Sequence, residues 1–385
     1  MTSQQNRFDA DLVDPATIPA SDLVDLLRAV CDIESVSGDE TALADAVEAL
    51  LREQPHLEVT RDGDAVVART LLGRDRRVVL AGHLDTVPLT DPPNLPTRLE
   101  GTGDDRILWG RGTVDMKAGI TVMLALAVEL GRQGHEQSAE PVVDLTYVFY
   151  DHEEVEESKS GLGRLARNHP ELLAGDFAVL GEPTSADIEG GCQGTIRVDV
   201  RTRGVAAHSA RSWRGENAIH AAAPVLARLA AYEPVEVDVD GLRYREGMNA
   251  VGIRGGIAGN VVPDECTVTV NYRFAPSRDL AEAEAHVREL FDGYEVTVTD
   301  ASPAARPGLD DPLAAEFAAA VLTLTGGRPK PKFGWTDVAR FAQLGIPAVN
   351  FAPGDASLAH ADDERVPVRE LAVCRDALRT WLRGQ

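Results

Sequence analysis

Cysteine is scarce in this chain. The four cysteines (Cys31, Cys192, Cys266 and Cys374) lie too far apart to form a CxxC pair. That spacing argues against a zinc ribbon or a disulfide framework, so a reducing, cytoplasmic setting is the expectation. Basic residues are also short: 38 Lys and Arg stand against 62 Asp and Glu, a formal net charge of −24. Nucleic acid and anionic membranes need a basic face, so neither is expected as a partner. An anionic substrate would need cations placed locally. Long hydrophobic runs are missing too. The longest, around Ile120 to Leu130, is too short and too interrupted to span a bilayer. The opening residues, MTSQQNRFDADLVDP, carry neither the basic nor the apolar segment of a secretory signal. No internal repeat or low-complexity segment stands out.

What is present is a globular composition, 44% hydrophobic and 26% charged over 385 residues, long enough for two domains. Ser21 and Ser37 are positioned to cap two amphipathic helical runs, DLVDLLRAVCDI and DETALADAVEALL. A hairpin-like stretch then leads to the β-branched run RRVVLAG, which stops at His83-Leu84-Asp85. A glycine-rich connection reaches LWGRGTVD, and a helix starts near Met116. The strand VVDLTYVFY ends at Asp151-His152-Glu153-Glu154, the strand DFAVLG ends at Glu182-Pro183, and IPAVNF leads through Gly354 to His360. Strands alternating with helices imply an α/β fold with a mostly parallel sheet. Ligands of such sheets bind outside the carboxyl ends of the strands, where these polar residues fall.

Between about Gly194 and Ala304 the order changes to β-α-β-β-α-β, the ferredoxin-like arrangement. This reads as an α+β domain, residues 194–304, inserted into a first domain formed by 1–193 and 305–385. The helices expected in it are ENAIHAAAPVLARLAAY and DLAEAEAHVRELF.

Taken singly, each polar residue has a plainer reading. Asp115 could cap the helix after it, Glu153 and Glu154 could be solvated acids, and His83 could be an ordinary histidine. Taken together, His83, Asp115, Glu154, Glu182 and His360 supply what two neighbouring divalent ions require: a carboxylate to share, with a histidine and a carboxylate for each. Asp85, two residues beyond His83, could accept the other imidazole N–H. Glu153 is a spare carboxylate beside a proposed ligand, as a general base would be.

The segments GHLDTVP, GRGTVDMKAG, HEE, GEPT and AHADDE resemble the signature set of the M20 metallopeptidase family, and the resemblance covers nearly the whole chain. It implies a zinc-aminopeptidase-like catalytic domain with an inserted lid and dimerisation domain. By it Asp115 bridges two zinc ions (cobalt also suits mixed N/O ligands), with His83 and Glu182 on one and Glu154 and His360 on the other. Asp85 and Glu153 carry over as the catalytic pair. His208 matches a lid histidine that reaches the substrate carbonyl across a homodimer.

Within the family, EGGCQGTIRV, AHSARSWRGENAIH, GLRYREGMNAV and FGWTDVARFAQLGIPAVNFAPG resemble the actinobacterial succinyl-diaminopimelate desuccinylases. The substrate-contacting positions are then Asn260, Arg273, Thr336 and Arg340. Arg211, Arg214 and Arg245 are further cations in or beside these segments. Gln193 departs from the pattern, standing where better-known desuccinylases are arginine-rich. The expected reaction is amide hydrolysis of an N-succinyl amino acid. Acetylornithine deacetylase and other N-acyl amino-acid hydrolases share the same ligand set. A non-catalytic binding protein on this scaffold is the reading from another class.

Overall fold

The computed structural model describes residues 20–130 and 140–384, with side chains from Leu23 onward. The chain divides into two compact units. One comprises the described residues up to Gly190, Gly308–Lys330 and Arg340 onward; the other comprises Gly191–Pro307 and Pro331–Ala339.

The first unit is built on an eight-stranded sheet. At its centre four strands run parallel in the order Asp144–Tyr150, Arg77–His83, Phe177–Leu180 and Ala348–Asn350. The hairpin Glu58–Asp62/Ala65–Arg69 adds antiparallel strands at one side, and Ile188–Gly190 does so at the other. The sheet is α/β and largely parallel, as expected. Every residue of Asp144–Tyr150 is buried, which is why that run is apolar almost throughout instead of alternating. The helix Lys117–Glu129 is likewise buried on all its residues. It packs against the helices Ala20–Asp32 and Val368–Leu382 as well as the sheet. Trp381 meets Phe177 and Phe317 edge-on at 5.9 and 4.8 Å, those two rings are tilted against each other at 5.4 Å, and Phe351 meets Phe317 edge-on at 5.8 Å. These rings tie the helix Pro312–Thr325 and the C-terminal helix to the sheet.

The caps depart from expectation. The helix Thr41–Arg52 has Glu40 at its N-cap, whose side chain does not cap the helix, and Ser37 instead donates its hydroxyl to Asp85. The expected cap at Ser21 rests on a side chain outside the described residues. All four cysteines are buried and free. No helix among the described residues is long and apolar enough to cross a membrane.

The second unit carries a four-stranded antiparallel sheet in the order Gly247–Gly255, Glu265–Phe274, Gly194–Arg203, Glu295–Ser302. Numbered along the chain this order is two-three-one-four, the ferredoxin-like arrangement. Residues of Gly194–Arg203 alternate in burial, and Ile196, Val198 and Val200 pack on Ala218, Val225, Ala283, Val287 and Phe291. Asp279 caps the helix Leu280–Leu290 in a reciprocal box with Glu282.

Three features differ from the sequence reading. The first helix of the insert is split at Ala222 into Ala218–Ala221 and Ala223–Ala230, with Pro224 starting the second piece. A hairpin, Glu236–Val239 with Leu242–Arg245, turns on Asp240-Gly241, both at positive φ. The unit also takes in Pro331–Ala339, which the expectation left with the first domain. The Lys332 carbonyl accepts the Gln193 backbone N–H, and Trp335 donates its indole N–H to the Pro303 carbonyl.

The sheet and the helix Lys117–Glu129 meet at two glycines. A methyl on Gly119 would stand 2.1 Å from the Gly181 carbonyl oxygen, a backbone atom that cannot swing aside. Gly119→Ala is therefore expected to cost about 1–3 kcal/mol, as overpacking does. Gly247→Ala, where an added methyl meets nothing within 4 Å, should stay within about 0.5 kcal/mol of the parent. Urea denaturation of both variants checks this; equal stability would mean the helix does not rest on Gly181.

Candidate metal centre

Parallel strands deliver their carboxyl ends to one edge of the sheet, and polar residues gather there. His83 is the last residue of its strand. Glu182 follows the neighbouring strand Phe177–Leu180 by two residues, and Glu153 and Glu154 follow Asp144–Tyr150 on the other side. Asp115 arrives on the turn before the helix Lys117–Glu129, and is not its cap. His360 lies beyond Ala348–Asn350 in a left-handed conformation, φ 62°.

These side chains converge. Asp115 Oδ1 lies 3.2 Å from His83 Nε2, and its Oδ2 lies 3.3 Å from His360 Nε2. Glu182 Oε1 is 3.9 Å from His83 Nε2, and Glu154 Oε1 is 3.0 Å from His360 Nε2. Two groups of donors, His83–Asp115–Glu182 and Asp115–Glu154–His360, thus each bring three ligand atoms within 4.8 Å of one another. Both groups contain Asp115. Glu153 stands with His83 and Glu154 in a third group.

The donors suit a divalent cation. His83 Nδ1 lies 3.0 Å from the backbone carbonyl oxygen of Asp85, which can only accept, so the ring carries a proton there. Nε2 then turns a lone pair toward carboxylate oxygens, an arrangement that repels unless a proton or a metal ion lies between. Burial alone would lower the pKa of His83, but hydrogen bonds to Asp115 and Asp85 raise it well above its usual range. Hydrogen bonds to Asp115 and Glu154 raise His360 to about 10. Asp115 shows the reciprocal effect: burial opposes ionisation, yet the two histidines hold its carboxyl well below the usual range. Burial pushes Glu154 up despite the bond from His360.

The supports around these donors were only partly foreseen. Asp85 was expected to take the imidazole N–H on its carboxylate; its backbone carbonyl does so, with the carboxylate farther off at 3.5 Å. The carboxylate instead accepts the N–H groups of Glu153 and Glu154, both at 3.0 Å, and the Ser37 hydroxyl at 2.6 Å. Burial, which alone would raise it, is outweighed by His83, Ser37 and the Glu153 N–H, leaving Asp85 at about 2.

Glu364 was not singled out at all. Its Oε1 accepts the N–H groups of Val114 and Asp115 at 2.8 and 3.1 Å, and its Oε2 pairs with the buried Arg111 at 2.9 Å. It closes the motif AHADDE, but no spacing rule connects it with a residue some 250 positions earlier.

The remaining candidates fall into both units. His208, Asn260, Arg273 and Thr336 belong to the second, and Arg340 to the first. His208 is exposed, pairs with Val261 across a short ladder, and accepts the Ala210 N–H on Nδ1. The Asn260 carbonyl accepts from Ser209 next door. Arg340 is nearly buried and pairs with Glu157 at 3.1 Å. Thr336 is buried, and its carbonyl lies 3.6 Å from the Cys192 thiol. Arg211 and Arg214 are exposed. Gln193 is buried and donates its amide to the Arg245 carbonyl.

Comparison with known proteins bears on the same residues. The chain is 52% identical over 366 residues to a Mycobacterium tuberculosis protein provisionally named as the succinyl-diaminopimelate desuccinylase DapE, covering 94% of this chain and 98% of the relative. It is 46% identical over 370 residues to the succinyl-diaminopimelate desuccinylase of Corynebacterium glutamicum, covering 94% and 96%. A tripeptidase from Staphylococcus aureus shares the fold, with a TM-score of 0.76 at 19% identity over 95% of this chain and 99% of that one. The pattern of peptidase family M20/M25/M40 matches residues 79–384. All seven residues gathered at the sheet edge lie inside that span, and the chain is a hydrolase belonging to this family.

Proposed function

We propose that this hydrolase is a two-metal amidase that cleaves N-succinyl-LL-2,6-diaminopimelate with water to succinate and LL-2,6-diaminopimelate, a step toward lysine and cell-wall diaminopimelate. The observation that carries the chemistry is Asp115, whose two oxygens face two separate donor groups, as a bridging carboxylate must. The names of the two desuccinylase relatives support the substrate. We assign His83 and Glu182 to one ion and Glu154 and His360 to the other. Zinc suits this mixed N/O set, as cobalt does.

When bound, the two ions supply Lewis acidity toward the scissile carbonyl and toward a water molecule. The protein's own residues do the rest. Glu153 takes the water's proton and later passes it to the leaving amine. Asp85 fixes the turn that carries Glu153, and its backbone carbonyl fixes the His83 tautomer. His208 donates to the oxygen that becomes negative as the carbonyl is attacked. Arg273, Arg340, Asn260 and Thr336 hold the carboxylates and amide of the substrate, and a guanidinium does so bidentately.

The second unit is read as the lid and dimerisation domain of a cytoplasmic homodimer. Its outer strand Gly247–Gly255 is exposed and carries Val251 and Ile253 open to solvent at 59% and 53%. An open apolar edge is a template for pairing with another copy.

Glu153→Gln is expected to retain both metals and to lose at least about 100-fold in kcat, because it removes proton transfer while leaving the ligands intact. Glu154→Gln should instead lose one metal. Succinyl-diaminopimelate and acetylornithine assayed side by side with metal analysis decide the matter. Faster turnover of acetylornithine would overturn the substrate, and equal metal loss in both variants would overturn the base.

The histidine shifts predict proton release. Without metal the His83 imidazole is raised and that of His360 is raised to about 10, and both must be unprotonated to bind metal. At pH 7.5, loading metal should therefore release about one proton from His360, with any His83 proton adding to it. The number falls as the pH rises through about 10, where His360 titrates unaided. Affinity for metal accordingly rises with pH below that value. Calorimetry in buffers of different ionisation enthalpy measures the protons; none released at pH 7.5 would contradict the assignment.

His208→Ala and Glu153→Gln, each inactive alone, should regain activity when mixed under conditions of subunit exchange, since one mixed site combines a sound metal centre with a sound His208. No recovery despite demonstrated exchange would place His208 within its own chain's site or outside catalysis.

A further inference from the structure

Beyond the end of the strand Asp144–Tyr150, three consecutive backbone N–H groups point at side-chain carboxylates instead of at carbonyls. His152 donates to Glu40 Oε1 at 3.2 Å, Glu153 to Asp85 Oδ1 at 3.0 Å and Glu154 to Asp85 Oδ2 at 3.0 Å. His152 is left-handed, φ 59°, so this turn cannot rely on a regular ladder for its shape. A row of N–H groups in such a turn forms a concavity suited to an anion. Here two of the chain's own carboxylates fill it.

Both carboxylates are stationed by one short segment, Ser35 to Glu40. The segment is joined to the residues after His83: Ser35 donates its hydroxyl to the Leu84 carbonyl at 2.7 Å and accepts the Thr86 N–H, and Ser37 N–H returns to the Thr86 carbonyl. Ser37 Oγ then donates to Asp85 Oδ2 at 2.6 Å. Gly38, at φ 100°, turns its N–H back onto Glu40 Oε2 at 2.9 Å. Glu40 is fully buried. Each of its oxygens takes a different N–H, Gly38 on one and His152 on the other.

We propose that Ser37 and Glu40 are positioning residues for Glu153: with Asp85 they fix the turn His152–Glu154 and so the direction in which the Glu153 carboxylate points. They touch neither substrate nor reacting atoms. The inference rests on the reading of Glu153 as general base. It requires a carboxylate at position 40, because an amide offers one acceptor and would set its NH2 against the second N–H. At position 37 it requires only a hydroxyl.

The test uses the full chain and the variants Ser37→Ala, Ser37→Thr and Glu40→Gln, with Glu153→Gln alongside. In metal-free protein, amide hydrogen exchange at residues 152–154 should quicken in Ser37→Ala and Glu40→Gln, while the helix Lys117–Glu129 stays protected as in the parent. With metal bound, kcat should fall about tenfold in Ser37→Ala and about 100-fold in Glu40→Gln, as misplaced supporting groups cause. KM and metal content should be unchanged, and Ser37→Thr should restore both exchange and kcat. Unchanged exchange at 152–154, unchanged kcat, or faster exchange throughout the unit would each overturn the proposal. If Glu40→Gln fails to fold, Ser37→Ala and its Thr counterpart decide alone. Full activity in Glu153→Gln would instead defeat the reading of the base. A dead Glu153→Gln beside fully active Ser37 and Glu40 variants defeats only this inference.

Discussion

Like charge held close together is the constraint from which the rest of this molecule follows. Asp85, Asp115, Glu153, Glu154 and Glu182 crowd around two imidazoles at one edge of a sheet. Two unit charges 4 Å apart interact by about 4 kcal/mol at an effective dielectric of 20. Several such repulsions together would tear an unsupported cluster apart. The protein answers with donors from its own backbone: N–H groups of Glu153 and Glu154 on Asp85, and of Val114 and Asp115 on Glu364. The imidazoles of His83 and His360, 3.0–3.3 Å from Asp115 and Glu154, relieve the remainder.

The fold is suited to making such a concentration of acids. Parallel strands end together, so residues just past their ends meet without any need for closeness in sequence. The helix that follows Asp115 is buried on all its residues, and Gly119 lets it lie against Gly181, next to Glu182. The small sheet Arg365–Pro367, Ile107–Trp109 and Arg98–Glu100 joins the segment before Asp115 to the one after His360. Candidate ligands more than two hundred residues apart, Asp115 and His360, are thereby held by a few short ladders.

The sequence made the strand ends legible because each buried strand is an apolar run that stops before polar residues, and four such stops point to one edge. His83, Glu154, Glu182 and His360 stand after those strands, whereas Asp115 stands just before a buried helix. The ferredoxin-like order of the insert was readable from alternation and helix periodicity. Residues that act through backbone N–H groups leave no such mark. Glu364 and Glu40 look like ordinary surface acids until the chain folds, and Ser37 before an amphipathic run looks like a helix cap. The hairpin at Asp240-Gly241 did carry a signal, the Asp-Gly pair between two alternating runs, VEVDV and LRYR. Pro331–Ala339 went astray because nothing in its composition tells which unit it will pack on.

The arginines show how an acidic chain can still be organised for an anionic substrate. Arg340 has a counter-charge in Glu157 at 3.1 Å, so an incoming carboxylate must compete with one already present. Arg273 differs. No carboxylate lies within 4 Å of it among the described residues, and burial, then the nearby Arg197, lowers its pKa. A guanidinium remains charged even so. It is thus a partly desolvated cation whose charge is opposed by Arg197 and favoured by Asp300. Arg273 therefore suits the proposed contact with a substrate carboxylate better than Arg340. A net charge of −24 does not oppose this, because screening confines such effects to about 10 Å at 0.1 M salt.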